Sequence, residues 1–205
     1  MRAIATTLLV VTATLVVCAA DAAAQSIQIV PKIGAFKAVS DLGEISGSPR
    51  ELEGSLAVGL AAELGLGSLP FDLRANFDYA TDTEVSSEGI GDPGSASGNL
   101  LAVTGDLVFR VGSGEGLLAP YLLAGGGLKR YDINTDEIAD PNFENIFDEN
   151  QTKPTGHLGL GLGLGLGLIS IVAELSDYIS QFEAEGGSEL QHDVFGMLGV
   201  RVRLF

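Results

Sequence analysis

From Leu158 to Leu168 the chain alternates leucine and glycine without a break. A helix over this stretch would hold five glycines, each costing about 1 kcal/mol against alanine, and would spread leucine around its whole circumference. A strand puts every leucine on one face and every glycine on the other, because successive side chains point to opposite sides. A floppy glycine-rich linker is ruled out by the uniformly apolar residues between the glycines. The run therefore predicts a strand with one continuous hydrocarbon face and one bare face.

The same period of two recurs along the chain. In Phe71 to Ala80, Phe71, Leu73, Ala75, Phe77 and Tyr79 oppose Asp72, Arg74, Asn76, Asp78 and Ala80. In Asn99 to Gly112, Leu101, Val103, Leu107, Phe109 and Val111 share a frame opposite Thr104, Asp106 and Arg110. Leu56, Val58, Leu60, Ala62 and Leu64 likewise oppose Glu53 and Glu63. Such alternation marks strands with one apolar face.

Eight segments are predicted, at about 27–39, 52–66, 71–81, 99–111, 117–131, 156–167, 169–181 and 193–205, with ends uncertain by a few residues. Short links join the second to the third, the fourth to the fifth and the sixth to the seventh. Long polar stretches, about 40–51, 82–98, 132–155 and 182–192, join the others. An even number of alternating strands with short turns at one end and long loops at the other is the pattern of an outer-membrane barrel.

Composition agrees. Charged residues are 19% of the chain, hydrophobic ones 46%, and glycine is 28 of 205 residues. The net charge of −16 argues against a nucleic-acid partner, since phosphate neutralisation needs a basic surface. The one cysteine, Cys18, excludes a disulfide framework or a cysteine zinc site.

Residues 1–24 read as a signal peptide. Arg2 precedes the apolar run Leu8 to Val17, and Ala22 to Ala24 supply small residues for cleavage before Gln25. A spanning helix from Ala3 to Ala20 is the competing reading. Val17 argues against lipid attachment at Cys18, because a small residue is wanted there.

Residues 25–205 resemble the small eight-stranded outer-membrane β-barrel proteins of Gram-negative-type bacteria, the group that contains the OmpA transmembrane domain and the OmpX-like proteins. The resemblance rests on the alternating strands, the loop asymmetry, Pro120-Tyr121 followed by Gly125 to Gly127, and the closing stretch Gly199 to Phe205. It implies an all-β, eight-stranded, antiparallel up-and-down transmembrane barrel in the cell outer membrane. Its partners would be outer-membrane lipid and, during biogenesis, the barrel-assembly machinery, which reads a terminal aromatic matched here by Phe205. Phe205 lies in the opposite frame from the outward residues Val194, Leu198, Val200, Val202 and Leu204. Tryptophan is absent, so Tyr79, Tyr121, Tyr131, Tyr178, Phe36, Phe71, Phe109 and Phe182 are the candidates for the interfacial aromatic girdles.

The soluble alternative is an eight-stranded lipocalin-like barrel, with its apolar face inward around a ligand. The charge frame favours lipid. Opposite the apolar faces lie Lys32, Arg74, Arg110, Arg201, Arg203 and one of Lys129 and Arg130, with Glu53, Glu63, Asp72, Asp78, Asp106 and Glu174. Six cations and six anions suit a narrow lumen of ion pairs, where an unpaired charge is expensive. The glycine face of residues 158–168 then makes room for bulky lumen groups such as Arg74 and Arg110, or leaves a thin water path.

Candidate chemistry is sparse. His157 and His192 fall near the long-loop ends of strands. Some barrels of this kind are lipid A-modifying enzymes with a Ser–His–acid site at the outer rim, and Ser188, Glu189, His192 and Asp193 are close in sequence. Polar loop residues are the simpler reading, since spacing alone implies no nucleophile–base geometry. The acids of loop 3 (Asp132, Asp136, Glu137, Asp140, Glu144, Asp148 and Glu149) could take a divalent cation weakly, without the EF-hand spacing. No cofactor is expected. The expected function is a non-enzymatic envelope-structural, surface-interaction or small-pore role.

Overall fold

The computed structural model describes residues 26–40, 44–45, 48–52, 54–67, 69–87, 96–111, 117–134, 150–184 and 187–204. The signal segment, Cys18, Glu53, Phe205 and the loop 3 acids beyond Asp132 lie outside the described residues. So do the side chains of Phe182, Ser188 and Glu189.

Ten strands occur in chain order: β1 (Ser26–Ala38), β2 (Glu44–Ile45), β3 (Ser48–Leu52), β4 (Ser55–Gly65), β5 (Phe71–Ser87), β6 (Ala96–Arg110), β7 (Leu118–Asn134), β8 (Asn150–Gly165), β9 (Ile169–Ala184) and β10 (Gly187–Arg203). Eight of them form the barrel. Neighbours from β4 to β10 pair antiparallel in sequence order, β1 pairs with β4, and β1 meets β10 from Gln28↔Arg203 to Ala38↔Asp193. That last ladder closes the sheet and removes both edges, so the backbone hydrogen bonds are satisfied internally. Short β2 and β3 form a ribbon at the long-loop end, where β3 extends the sheet beside β5.

The short-turn end is built by glycine. Gly67 and Gly167 hold positive φ of 63° and 87° in the β4–β5 and β8–β9 turns. There a Cβ would be strained. Leu166 and Ile169 close the second of these with a backbone bond of 2.8 Å.

At the other end the strands run further than periodicity indicated. The stretch 182–192, expected as a loop, is mostly ladder: β9 and β10 stay paired up to Ala184↔Gly187. Likewise β7 reaches Asn134 and β5 reaches Ser87. About ten tilted residues cross a bilayer, so strands of 15–17 residues project beyond it. Beyond the hydrocarbon both faces meet water. The apolar alternation therefore stops while the hydrogen-bonded ladder continues.

The frame of the barrel is apolar outside and polar inside. Leu158, Leu160 and Leu162 are 54%, 57% and 44% exposed. Ile33, Leu56, Leu60, Phe77, Val103, Leu122, Leu128, Leu175 and Leu198 are exposed around the same belt. Lys32, Glu63, Arg74, Asp78, Asp106, Lys129, Glu174 and Arg201 are buried. This arrangement excludes the lipocalin-like alternative, which needs the reverse.

Candidate functional site: the charged lumen

The lumen is filled by linked ion pairs. At its centre Glu174 of β9 accepts from three other strands. Arg74 of β5 reaches it through Nη1 at 2.7 Å and Nη2 at 3.2 Å, Lys32 of β1 at 3.0 Å and the Tyr121 hydroxyl of β7 at 2.9 Å. Lys32 also pairs with Asp78 at 2.9 Å and donates to Asn76 Oδ1 at 2.9 Å. The Asn76 amide donates to Asp78 at 2.7 Å and to the Tyr178 oxygen at 2.6 Å, and Tyr178 donates to Asp78. The charged ends of Lys32, Arg74, Asp78 and Glu174 are wholly inaccessible to solvent. A charge so placed is tolerable only with partners on several sides, which the radial geometry supplies.

Toward the short-turn end, Glu63 receives Arg110 Nη2 and Arg201 Nη2, each at 3.0 Å, with Arg74 Nη1 at 3.6 Å. Arg110 also gives its Nε to Asp72 at 2.7 Å. Toward the long-loop end, Asp193 takes the Lys129 ammonium and the Tyr131 hydroxyl, and Gln191 donates to it at 3.3 Å. Lys129 also donates to the Tyr178 carbonyl at 3.3 Å, and the Tyr178 ring meets Phe195 edge-on, with Phe36 tilted against Phe195.

Nine of the eleven residues placed in the lumen by frame analysis face it: Lys32, Glu63, Asp72, Arg74, Asp78, Asp106, Arg110, Glu174 and Arg201. Glu53 is outside the described residues. Arg203 shares the frame of Arg201, but β10 ends at it and its side chain is exposed at the mouth. Between Lys129 and Arg130 the structure chooses Lys129, fully buried, while Arg130 is half exposed and 3.9 Å from Asp132.

Several lumen groups escaped the sequence reading. Tyr121, Tyr131, Tyr178 and Phe36, taken as girdle candidates, are all buried inside. Their frame is that of Lys129, Glu174 and Lys32, so a strand must turn them inward. Phe109, exposed on the belt, and the half-buried Tyr79 and Phe71 keep the outward frame. The glycine face of β8 makes room mainly for Tyr121: a Cβ on Gly161 would stand 2.1 Å from its ring, and one on Gly163 would stand 3.3 Å from Arg201. Arg74, expected there, reaches Glu174, the cross-strand partner of Gly161, and Arg110 lines the short-turn mouth together with Gly163 and Gly165.

The two histidines part company. His157 shares the inward frame of the β8 glycines and is fully buried, not a loop residue. Its Nδ1 is 2.8 Å from Asp106, and its ring stacks on Tyr178 with centroids 4.3 Å apart. Asp106 only accepts, so Nδ1 carries the proton of that bond. Counting the described lumen, six carboxylates (Glu63, Asp72, Asp78, Asp106, Glu174, Asp193) face five Lys and Arg side chains and this one histidine. His192 points outward and bonds Asp177 at 2.7 Å. Asp193, its sequence neighbour, points inward to Lys129, so the two cannot share a catalytic site. Among the described residues no cluster of metal-ligating side chains occurs.

No family model matches the chain, and no curated protein does. Solved structures do. Neisserial surface protein A superposes with a TM-score of 0.60 at 13% identity, over 87% of this chain and 98% of its own. The outer membrane protein OprG of Pseudomonas aeruginosa gives 0.56 at 13%, over 88% and 97%. A major outer membrane protein of Thermus thermophilus gives 0.54 at 14%, over 88% and 100%. With its sheet closed by β1 and β10 and its apolar face turned out, the chain has the fold of the small eight-stranded barrels of bacterial outer membranes.

Proposed function

We propose that this chain is an integral protein of the bacterial outer membrane with a closed lumen and no enzymatic activity, serving envelope structure or contacts at the cell surface. The observation that carries the reading is the Glu174 layer. Arg74, Lys32 and Tyr121 converge on one carboxylate from three strands, and the charged ends are wholly buried. An eight-stranded barrel is barely wide enough for its own side chains, so such a layer leaves no aqueous path.

The belt of leucine, isoleucine and phenylalanine requires a hydrocarbon solvent, and lipid is the partner this reading assigns to it. The long-loop end is the working surface. There the acidic stretch 132–149 would sit beside anionic lipid headgroups, and divalent cations would bridge the two. Phe205 would act in biogenesis as the assembly signal, and residues 1–24 as the removed export signal.

Planar-bilayer recording of purified protein tests the closed lumen. Silence at 100 mV supports it, and regular ion-sized current steps contradict it. Mass spectrometry of membrane lipids with and without expression tests the absence of enzymatic activity. A lipid modification that disappears in His192→Ala would establish a rim enzyme instead.

A further inference from the structure

At the short-turn end the lumen opens into a cavity of about 60 Å³ lined by Arg110, Arg201, Arg203, Gln28 and Ser170, with the β8 glycines as one wall. A single water needs about 10–15 Å³ on this measure, so the space admits a group of several heavy atoms. Its polar edge is basic. Three guanidiniums line it, while the carboxylates that reach them are Glu63 and Asp72.

The donors are also incompletely used. Arg110 spends Nε on Asp72 and Nη2 on Glu63. Arg201 spends Nη2 on Glu63, and its side chain is only 6% exposed. Yet Arg201 Nε is buried with no hydrogen-bond partner. A buried donor left unmet is unfavourable, so an acceptor that reaches it would be bound favourably. Arg203 faces the same cavity and makes no ion pair among the described residues. Among the described residues of this mouth the guanidiniums outnumber the carboxylates that reach them, in a chain of net charge −16.

The level of the site in the barrel also matters. Leu168 and Leu204, 74% and 47% exposed, mark the end of the outward apolar surface beside it. Anionic groups at the inner face of the membrane would lie at this level. Guanidinium forks match the geometry of tetrahedral oxyanions better than any other side chain.

We propose that Arg201 and Arg203, together with Arg110, form a binding site for a phosphate group at the short-turn mouth of the barrel. The phosphate belongs either to a free ion or to the headgroup of a phospholipid in the adjoining leaflet. The site does not depend on the lumen being closed to ions.

Isothermal titration calorimetry on the protein folded in an uncharged, phosphate-free detergent tests the proposal, with ionic strength held constant by sodium chloride. One probe is inorganic phosphate, and the other is dihexanoyl phosphatidylglycerol below its micelle concentration. Saturable binding is expected, weakened at least tenfold in Arg203→Gln and in Arg201→Gln and unchanged in Arg130→Gln at the opposite end. Arg203 is exposed, so its variant decides the matter if Arg201→Gln fails to fold. Binding of the lipid tenfold tighter than the free ion assigns the site to a headgroup; otherwise the free ion is its ligand. Absence of saturable heat with both probes, or wild-type affinity in Arg203→Gln, overturns the proposal.

Discussion

Leu160 and Gly161 are neighbours on β8, yet they belong to different solvents. Leu160 is 57% exposed on the outer belt, whereas Gly161 is buried against Tyr121. The outer face is apolar and interchangeable, because lipid accommodates any hydrocarbon shape. The inner face is polar and specific: Glu174 and Glu63 each meet partners from three other strands, and Lys32 meets partners from two. One face can thus be altered freely in shape but not in charge. The other can be altered in neither, because a removed partner leaves a charge with no water to receive it.

The largest effect is expected from the inner face. Glu174→Leu leaves Arg74 and Lys32 facing each other around a missing anion, and should destabilise the barrel by about 3–5 kcal/mol. Urea unfolding in detergent measures this. A loss below 1 kcal/mol would mean that water reaches the centre, which would blur the contrast between the faces.

The outer face should fail only toward charge. Leu162→Arg near the middle of the belt should cost about 2–4 kcal/mol in a bilayer, while Leu162→Val should cost far less. Val39→Arg, just beyond β1, is the control and should cost under about 1 kcal/mol. Equal losses at positions 162 and 39 would place the belt wrongly.

A steric test sharpens the inner face. Gly161→Val pushes a side chain into the Tyr121 ring and should cost about 1–3 kcal/mol. Tyr121→Ala in the same chain should recover part of that loss, which is a coupling that only direct contact produces. The smallest effect belongs to Arg130→Ala. Its pair with Asp132 is exposed and 3.9 Å long, so the change should stay within about 0.5 kcal/mol. Its neighbour Lys129, changed in the same way, should behave like Glu174.

How much of this was legible in the sequence depended on contrast within each strand. Where apolar residues alternate cleanly with polar ones, as in 71–80, or with glycine, as in 158–168, the frame placed Arg74, Asp78 and the leucines on the faces they occupy. On β7 the run Leu122 to Leu128 is apolar or glycine in both frames, so Lys129 and Arg130 could not be separated. Tyr121, Tyr131 and Tyr178 were misplaced because aromatic residues are wanted at membrane interfaces, and that preference was set above the parity of their own strands. Here hydrogen bonds to Glu174, Asp193 and Asp78 draw the hydroxyls inward. His157 could have been found from its parity with Gly159 and Gly161. Asp193 was obscured because the β9–β10 ladder continues past the membrane, where the apolar alternation fades. The meeting of Glu174 with Arg74 and Lys32 depends on the curvature of the closed sheet, and no single strand encodes it.

The inside–outside frame is the central claim, and the absence of tryptophan from the chain allows a direct test. Leu175 pairs with Gly196 and Ser176 with Phe195, so Leu175 and Phe195 lie at nearly the same depth on adjacent strands and opposite faces. Leu175→Trp and Phe195→Trp, each as the sole tryptophan in a bilayer of dibrominated phosphatidylcholine, report contact with acyl chains by bromine quenching. Strong quenching of the tryptophan at 175 and little at 195 is the expected result. Equal quenching of the two, or the reverse order, would contradict the account.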